Sequence, residues 1–119
     1  MKFIITENKL ENLIQKMIDK SILEIKNISS NSTDYNQIPD WLSYDSVDII
    51  ERVDEIKINE IFKSDSKYKV YVDVYINSIN FFDVTELLFD VKHYIEKIFG
   101  FELLLIEKNT FNTKENVEW

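Results

Sequence analysis

The sequence predicts a single α+β domain in which two helices cover one face of an antiparallel β-sheet. Three observations support this fold class. Two segments repeat apolar residues at helical spacing behind helix-start signals, a strand pair between them alternates apolar and polar residues, and an apolar strand follows the second helix. A chain of 119 residues with 45% hydrophobic residues is long enough to bury one core.

The first helix is predicted over residues 6–27. Thr6 occupies an N-cap position, and Ile5 and Leu10 have the spacing of a hydrophobic staple. Apolar residues then recur on one face as far as Ile25, while Leu23 falls outside that face. We therefore expect this helix to bury one stripe against the sheet and to expose Leu23.

A β-hairpin is predicted from residues 56–62 and 70–76, joined by the turn sequence KSDSK. The expected register pairs Lys57 with Asp73, Ile58 with Val72 and Phe62 with Tyr68. This register brings apolar residues together on one face and places an opposite-charge pair across the strands. Its weak point is Glu60, which falls on the apolar face.

The second helix is predicted over residues 83–99. Asp83 and Glu86 form a capping box, and Gly100 follows as the expected left-handed residue at the C-terminus. The strand sequence ELLLIEK comes next and is apolar on both faces, with Leu104 and Ile106 on the face opposite Leu103 and Leu105. Such a strand is expected to be covered on both sides.

The element order is therefore α-β-β-α-β, and the opening KFII adds a possible first strand. With that strand the order becomes β-α-β-β-α-β, which is the ferredoxin-like arrangement, and we favour it over a three-stranded sheet. Residues 1–108 form the predicted domain with a loop at 29–44, and residues 109–119 form a C-terminal tail.

The composition argues against several classes of function. The net charge of -8 opposes nucleic-acid binding, because phosphate contacts require a surplus of Lys and Arg. The absence of Cys and the presence of one His leave no thiolate nucleophile, disulfide or Cys/His metal cluster. We therefore expect no cofactor and no metal. The sequence has neither a spanning apolar run nor a signal segment, so we expect no membrane association and a cytoplasmic location.

One spacing resembles a nuclease signature. Asp40 follows Pro39, and Glu55-x-Lys57 comes fifteen residues later, as in metal-dependent nucleases of the PD-(D/E)xK type; Asp73 would be a third acid. Such nucleases hold these groups on adjacent strands, whereas Asp40 here lies in a loop. Lys57 also has a cross-strand partner, so the catalytic interpretation is the alternative and not the favoured one. His93 is expected to be a surface residue.

The candidate interface consists of apolar and aromatic residues predicted to lie away from the helices or outside the core stripe. Tyrosines in particular favour interfaces because they combine apolar area with a hydroxyl group. The predicted interface residues are Ile61, Tyr71, Tyr75, Leu104, Ile106, Phe89, Trp41 and Trp119.

The residue usage indicates an AT-rich genome, with no Ala and one Arg against eighteen Ile, thirteen Lys and eleven Asn. The opening MKFIITENKLENLI resembles a recurrent start among small uncharacterised phage proteins. The resemblance implies a phage or mobile-element protein, in the host cell or the virion, and implies no activity. The expected function is a non-catalytic interaction module that forms a homo-oligomer or binds another protein. The alternatives are the nuclease and a small-molecule-binding oligomer.

Overall fold

The computed structural model describes residues 3–31 and 38–116 and confirms the α+β class. Its three strands form one sheet in the order β1-β2-β3. The helices are α1 (Phe3–Asn31), α2 (Tyr44–Ile49) and α3 (Thr85–Phe99), and the strands are β1 (Val53–Ser64), β2 (Lys67–Ile76) and β3 (Leu103–Asn112). Single 3₁₀ turns occupy Ile50–Arg52 and Thr113–Asn116.

The predicted first strand is absent from the described residues, because residues 3–5 already belong to α1. A short apolar run does not distinguish a strand from a helix by periodicity, and here the following helix extends through it. In a ferredoxin-like sheet this strand separates the two parallel strands of a βαβ unit. Without it β2 and β3 pair directly and in parallel, so the prediction of an antiparallel sheet is wrong for this pair and the sheet is mixed.

The hairpin itself is confirmed, since β1 and β2 pair antiparallel with Lys57 opposite Asp73 and Ile58 opposite Val72, but Phe62 lies opposite Lys69 and not opposite Tyr68 as predicted. A β-bulge at Asn59 then shifts the register by one residue, so that Glu60 lies opposite Tyr71. The bulge removes Glu60 from the apolar face. It also corrects the prediction for Ile61, which packs against the core instead of pointing away from the helices.

Both ends of α3 use local capping. The helix begins at Thr85, two residues later than predicted, and Asp83 Oδ1 accepts hydrogen bonds from the Thr85 hydroxyl at 2.7 Å and its backbone N–H at 2.9 Å. The hydroxyl bond, followed by the backbone bond, holds the pKa of Asp83 below its usual value. The helix ends as predicted at Gly100, whose φ of 66° is left-handed.

The core lies between one face of the sheet and the helices. The four inward residues of β2 are fully buried, and they belong to one cluster with the apolar stripes of α1 and α3. The exposed position of Leu23 is confirmed at 60%. Each fully buried aliphatic side chain contributes about 1.5–3 kcal/mol, so this single layer of contacts supplies most of the stabilisation.

A buried carboxylate joins α2 to α3. Asp90 is 3% exposed, and its Oδ2 accepts from the Ser43 backbone N–H at 2.9 Å, the Ser43 hydroxyl at 2.8 Å and the Ser46 hydroxyl at 2.5 Å. Ser43 is also the N-cap of α2 and accepts from the Ser46 N–H. Because Ser46 and Asp90 are buried, substrate cannot reach these groups, and the cluster is structural.

The outer edge of β1 is closed by a side chain of α1. Gln15 Nε2 donates to the Ile56 carbonyl at 2.8 Å, and Gln15 Oε1 accepts from the Ile58 N–H at 2.9 Å. One amide side chain therefore replaces the backbone groups of a neighbouring strand. This arrangement protects β1 from pairing with another chain.

Candidate interaction surface

The sheet face opposite the helices is not covered by any described element. The molecule is 19 Å thick in its smallest dimension, which corresponds to one helix layer on one sheet. We call this surface the outer sheet face. It comprises Glu55, Lys57, Asn59, Glu60 and Phe62 of β1, Lys69, Tyr71, Asp73 and Tyr75 of β2, and Leu104, Ile106, Lys108, Asn109 and Phe111 of β3.

Two aromatic pairs lie on the outer sheet face. The rings of Phe62 and Tyr71 meet edge-on with centroids 5.7 Å apart, and those of Tyr75 and Phe111 stack at 5.1 Å. Phe62 is 51% exposed and Phe111 43%. Both separations lie in the range favoured for aromatic pairs, so the rings are held in place while much of their surface still faces solvent.

A polar belt separates the two aromatic pairs. The Asp73 carboxylate accepts from the side-chain amide of Asn59 at 3.0 Å and from that of Asn109 at 2.9 Å. The Lys108 ammonium reaches Glu60 across β2 at 2.6 Å. The belt crosses all three strands at the level of the register shifts at Ile58/Glu60 and Val72/Asp73. Its groups are hydrogen-bonded within the chain, so a partner can cover them without leaving the Asp73 carboxylate or the Glu60–Lys108 pair without hydrogen bonds.

The structure does not bring the four nuclease residues together. Lys57 lies on the outer sheet face, 3.8 Å from Glu55 and opposite Asp73, whose carboxylate is already bound by two amides. Asp40 lies in the turn before α2, beside Trp41, in the helical layer on the other side of the sheet. Within residues 3–31 and 38–116, no group of three or more His, Asp or Glu side chains could hold a metal ion.

The remaining predicted interface residues are more scattered. Trp41 is half-buried and packs against Tyr94 of α3, with ring centroids 5.1 Å apart. Burial, followed by the charge of Glu24, raises the pKa of Tyr94. Phe89 is 49% exposed and contacts the half-buried His93 at a centroid distance of 4.2 Å. Trp119 lies outside the described residues.

A groove between α3 and β3 was not predicted. Its volume is about 290 Å³, and it is lined by Thr85, Glu86, Leu88, Phe89, Lys92, Leu104 and Leu105. The available signals were Phe89, which falls outside the buried stripe of its helix, and a strand that is apolar on both faces. Each signal alone indicates only a surface or a sheet position, and the groove lies where the edge strand β3 runs beside α3.

Comparison with known protein families, with curated proteins and with solved structures gives no match to this chain. None of the helices in the described residues is both long enough and apolar enough to cross a membrane. The functional interpretation therefore depends on the geometry and charge of the surfaces described above.

Proposed function

We propose that this protein is a non-catalytic interaction module whose outer sheet face binds the same face of a second copy. The observation that carries the proposal is the uncovered face itself, with two ordered aromatic pairs exposed to solvent. Each large apolar side chain that stays exposed to solvent forgoes about 1.5–3 kcal/mol of burial free energy. A symmetric dimer that stacks the two faces recovers this energy, and homo-oligomers commonly use such self-complementary contacts.

The charge of the outer sheet face supports a second copy as the partner. Within the rows that all three strands share, the face carries three acids (Glu55, Glu60 and Asp73) and three lysines (Lys57, Lys69 and Lys108), so its net charge there is zero, and Lys67 lies beyond these rows at the hairpin end of β2. The rest of the chain carries 19 acids and 11 basic residues, which accounts for the whole net charge of -8. Two copies repel one another through the rest of their surface, but not through this face.

The neutral charge of this face also weighs against nucleic acid as the partner. Exposed aromatic rings on a sheet can stack with bases. Single-stranded binding proteins combine such rings with a positively charged groove, and this face has no surplus of lysine over acid.

The area of the face predicts a weak dimer. Three strands spaced about 4.8 Å apart and ten residues long give roughly 14 × 33 Å, or about 470 Å² per copy and 950 Å² in total. This total lies between crystal contacts and standard interfaces. We therefore expect a dissociation constant in the micromolar range.

The C-terminal segment is the competing cover for this face. The predicted tail at 109–119 is partly sheet, since Phe111 belongs to β3 and the Thr113 hydroxyl bonds to the Ile76 carbonyl. Residues 117–119 span at most about 11 Å. By themselves they would cover about one third of the strand length.

Sedimentation velocity over micromolar concentrations tests the dimer. We expect Phe62→Lys to weaken association at least about tenfold. Phe81→Lys is the matched control, because Phe81 is 52% exposed and lies in the β2–α3 connection, away from the sheet. A wild-type chain that remains monomeric contradicts the proposal. In a Trp41→Phe background, a blue-shifted Trp119 emission from that monomer would identify the tail as the cover.

The expected phage or mobile-element origin remains part of the proposal. It is supported by the AT-rich residue usage and the opening sequence. Gene neighbourhood is the observation that tests it, and a setting among ordinary metabolic genes would contradict it.

A further inference from the structure

The two edges of the sheet differ in whether a side chain bonds to their outer backbone groups. The Gln15 amide occupies the Ile56 carbonyl and the Ile58 N–H at the outer edge of β1, whereas no side chain or loop among residues 3–31 and 38–116 forms a hydrogen bond to the outer edge of β3. An open edge presents a row of backbone donors and acceptors that only another extended chain can satisfy in series. At β3 no described side chain competes with an added strand, so β3 is the more suitable edge for strand addition.

The groove beside this edge is small and open to solvent. Its volume of about 290 Å³ is at the lower limit for ligand pockets and also suits one or two apolar side chains. Leu88 and Phe89 of α3 face Leu104 and Leu105 of β3 across it. A strand added to β3 would place every second side chain on the helix side of the sheet, where one or two apolar groups would fill this groove.

The end of the groove at the start of α3 is acidic. Asp83 and Glu86 flank the first turn of the helix, and Glu107 follows the groove-lining residues along β3. None of these three carboxylates forms an ion pair within the described part of the chain. Burial, followed by the charge of Asp83, raises the pKa of Glu107.

We propose that the edge of β3 and the adjoining α3–β3 groove bind an extended peptide segment of another protein. The segment has apolar residues at alternate positions and a lysine or arginine that meets Asp83, Glu86 and Glu107. Backbone hydrogen bonds to β3 provide the pairing, Leu88 and Phe89 receive the apolar side chains, and the acidic end selects the basic residue. This surface shares Leu104 with the outer sheet face and is otherwise separate from it.

A second copy is the less suitable occupant of this edge. Two β3 strands paired about a two-fold axis would bring the acidic ends of both copies, including both Glu107 side chains, to one interface. Each copy also carries a net charge of -8. A basic segment from another protein meets the same groups with the opposite charge.

The test selects random peptides, about eight residues long, on the immobilised full chain. The enriched peptides are then synthesised, and their binding to the wild type, Phe89→Glu and Leu13→Glu is measured. These two variants place the same charge on helix residues of similar exposure, 49% and 47%, but only Phe89 lines the groove. We expect the enriched peptides to have alternating apolar residues and one basic residue. Phe89→Glu should weaken them about tenfold or more, whereas Leu13→Glu should leave binding unchanged.

A second measurement tests the strand pairing directly. Methylation of the amide nitrogens at alternate peptide positions should abolish binding for one alternate set and be tolerated for the other, because an added strand bonds through every second residue. Replacing the basic residue by Glu should weaken binding, with a smaller effect at high salt.

Three results would overturn the proposal: no enriched peptide, equal binding by Phe89→Glu, or loss of wild-type dimerisation in Phe89→Glu, which would make a second copy the occupant. Failure of the outer-face dimer is separate from these results, because Phe62→Lys should alter sedimentation and leave peptide binding unchanged.

Discussion

Replacing Asp90 tests how much of the stability depends on the contact between α2 and α3. A hydrogen bond to a charged group contributes about 1.5–3 kcal/mol, and a neutral one about 0.5–1.5 kcal/mol. Three donors share Asp90 Oδ2, which has two lone pairs, so we count about two full bonds. Asp90→Asn keeps the acceptor and loses the charge, which lowers each of the two bonds by about 1–1.5 kcal/mol and should cost about 2–3 kcal/mol in total. Asp90→Ala leaves the buried Ser46 hydroxyl and the Ser43 N–H without their acceptor, which should cost about 3–5 kcal/mol.

Urea unfolding measures both variants. With a slope of roughly 1.5 kcal/mol per molar urea, the midpoint should fall by about 1.5–2 M for Asp90→Asn and by about 2–3 M for Asp90→Ala. Both variants should still fold in water, since a domain of this size has about 5–15 kcal/mol of stability. Asp40→Asn is the control, because Asp40 is exposed and its change should stay within about 0.5 kcal/mol. A loss below about 1 kcal/mol for Asp90→Ala would refute the reasoning.

Three further substitutions give separate tests. Gln15→Ala removes two hydrogen bonds at the β1 edge and should cost about 1–3 kcal/mol in urea unfolding. It should also increase light scattering at high concentration, because the edge becomes open to other chains. Glu107→Gln should raise stability at neutral pH by a few tenths of a kcal/mol, since the folded state disfavours the charged form and solvent screens most of the effect. That gain should shrink as the pH falls through the raised pKa of Glu107 and vanish below the usual value of 4.5, and a gain that grows on acidification would be the wrong sign. Calorimetric titration should show no micromolar magnesium binding by the wild type, and Glu55→Gln should not change this result. Micromolar binding by the wild type that is lost in Glu55→Gln would restore the nuclease alternative.

Local patterns predicted the elements that depend on local physics. The hairpin and the end of α3 follow from period-two alternation and from a glycine at a left-handed position. The contacts of Gln15 and Asp90 could not be predicted in the same way, because they join residues more than 40 positions apart. No spacing rule connects an amide on a helix to the edge of a distant strand.

The candidate surface was predicted where the strands are regular. Tyr71 and Tyr75 face outward because alternation holds along all of β2. Phe62 was expected on the core face, and the bulge in β1 moved it outward to meet Tyr71. Phe111 was assigned to the tail, because its segment is polar and the parallel partner that makes it a strand is distant in sequence. A single extra residue moves every later side chain of the strand to the opposite face of the sheet. In the sequence, only the position of Glu60 on the predicted apolar face indicated this bulge.

The bulge makes a last prediction about deletions in β1. Removing Asn59 leaves Ile58 opposite Val72 and Glu60 opposite Tyr71, so the two strands pair without a break from Glu55 to Ser64. The loss is one exposed hydrogen bond to Asp73, and we expect a cost of about 0.5–1.5 kcal/mol.

Removing Lys57 instead is the matched deletion. The only way to keep the later pairs is to turn Ile58 outward and Asn59 toward the core, opposite Val72. This forgoes the burial of an isoleucine and buries an amide without a partner, so the cost should exceed about 3 kcal/mol. Urea unfolding of both deletions decides the matter. If removing Asn59 costs as much as removing Lys57, the extra residue is not what sets the register, and the placement of Phe62 on the outer sheet face loses its explanation.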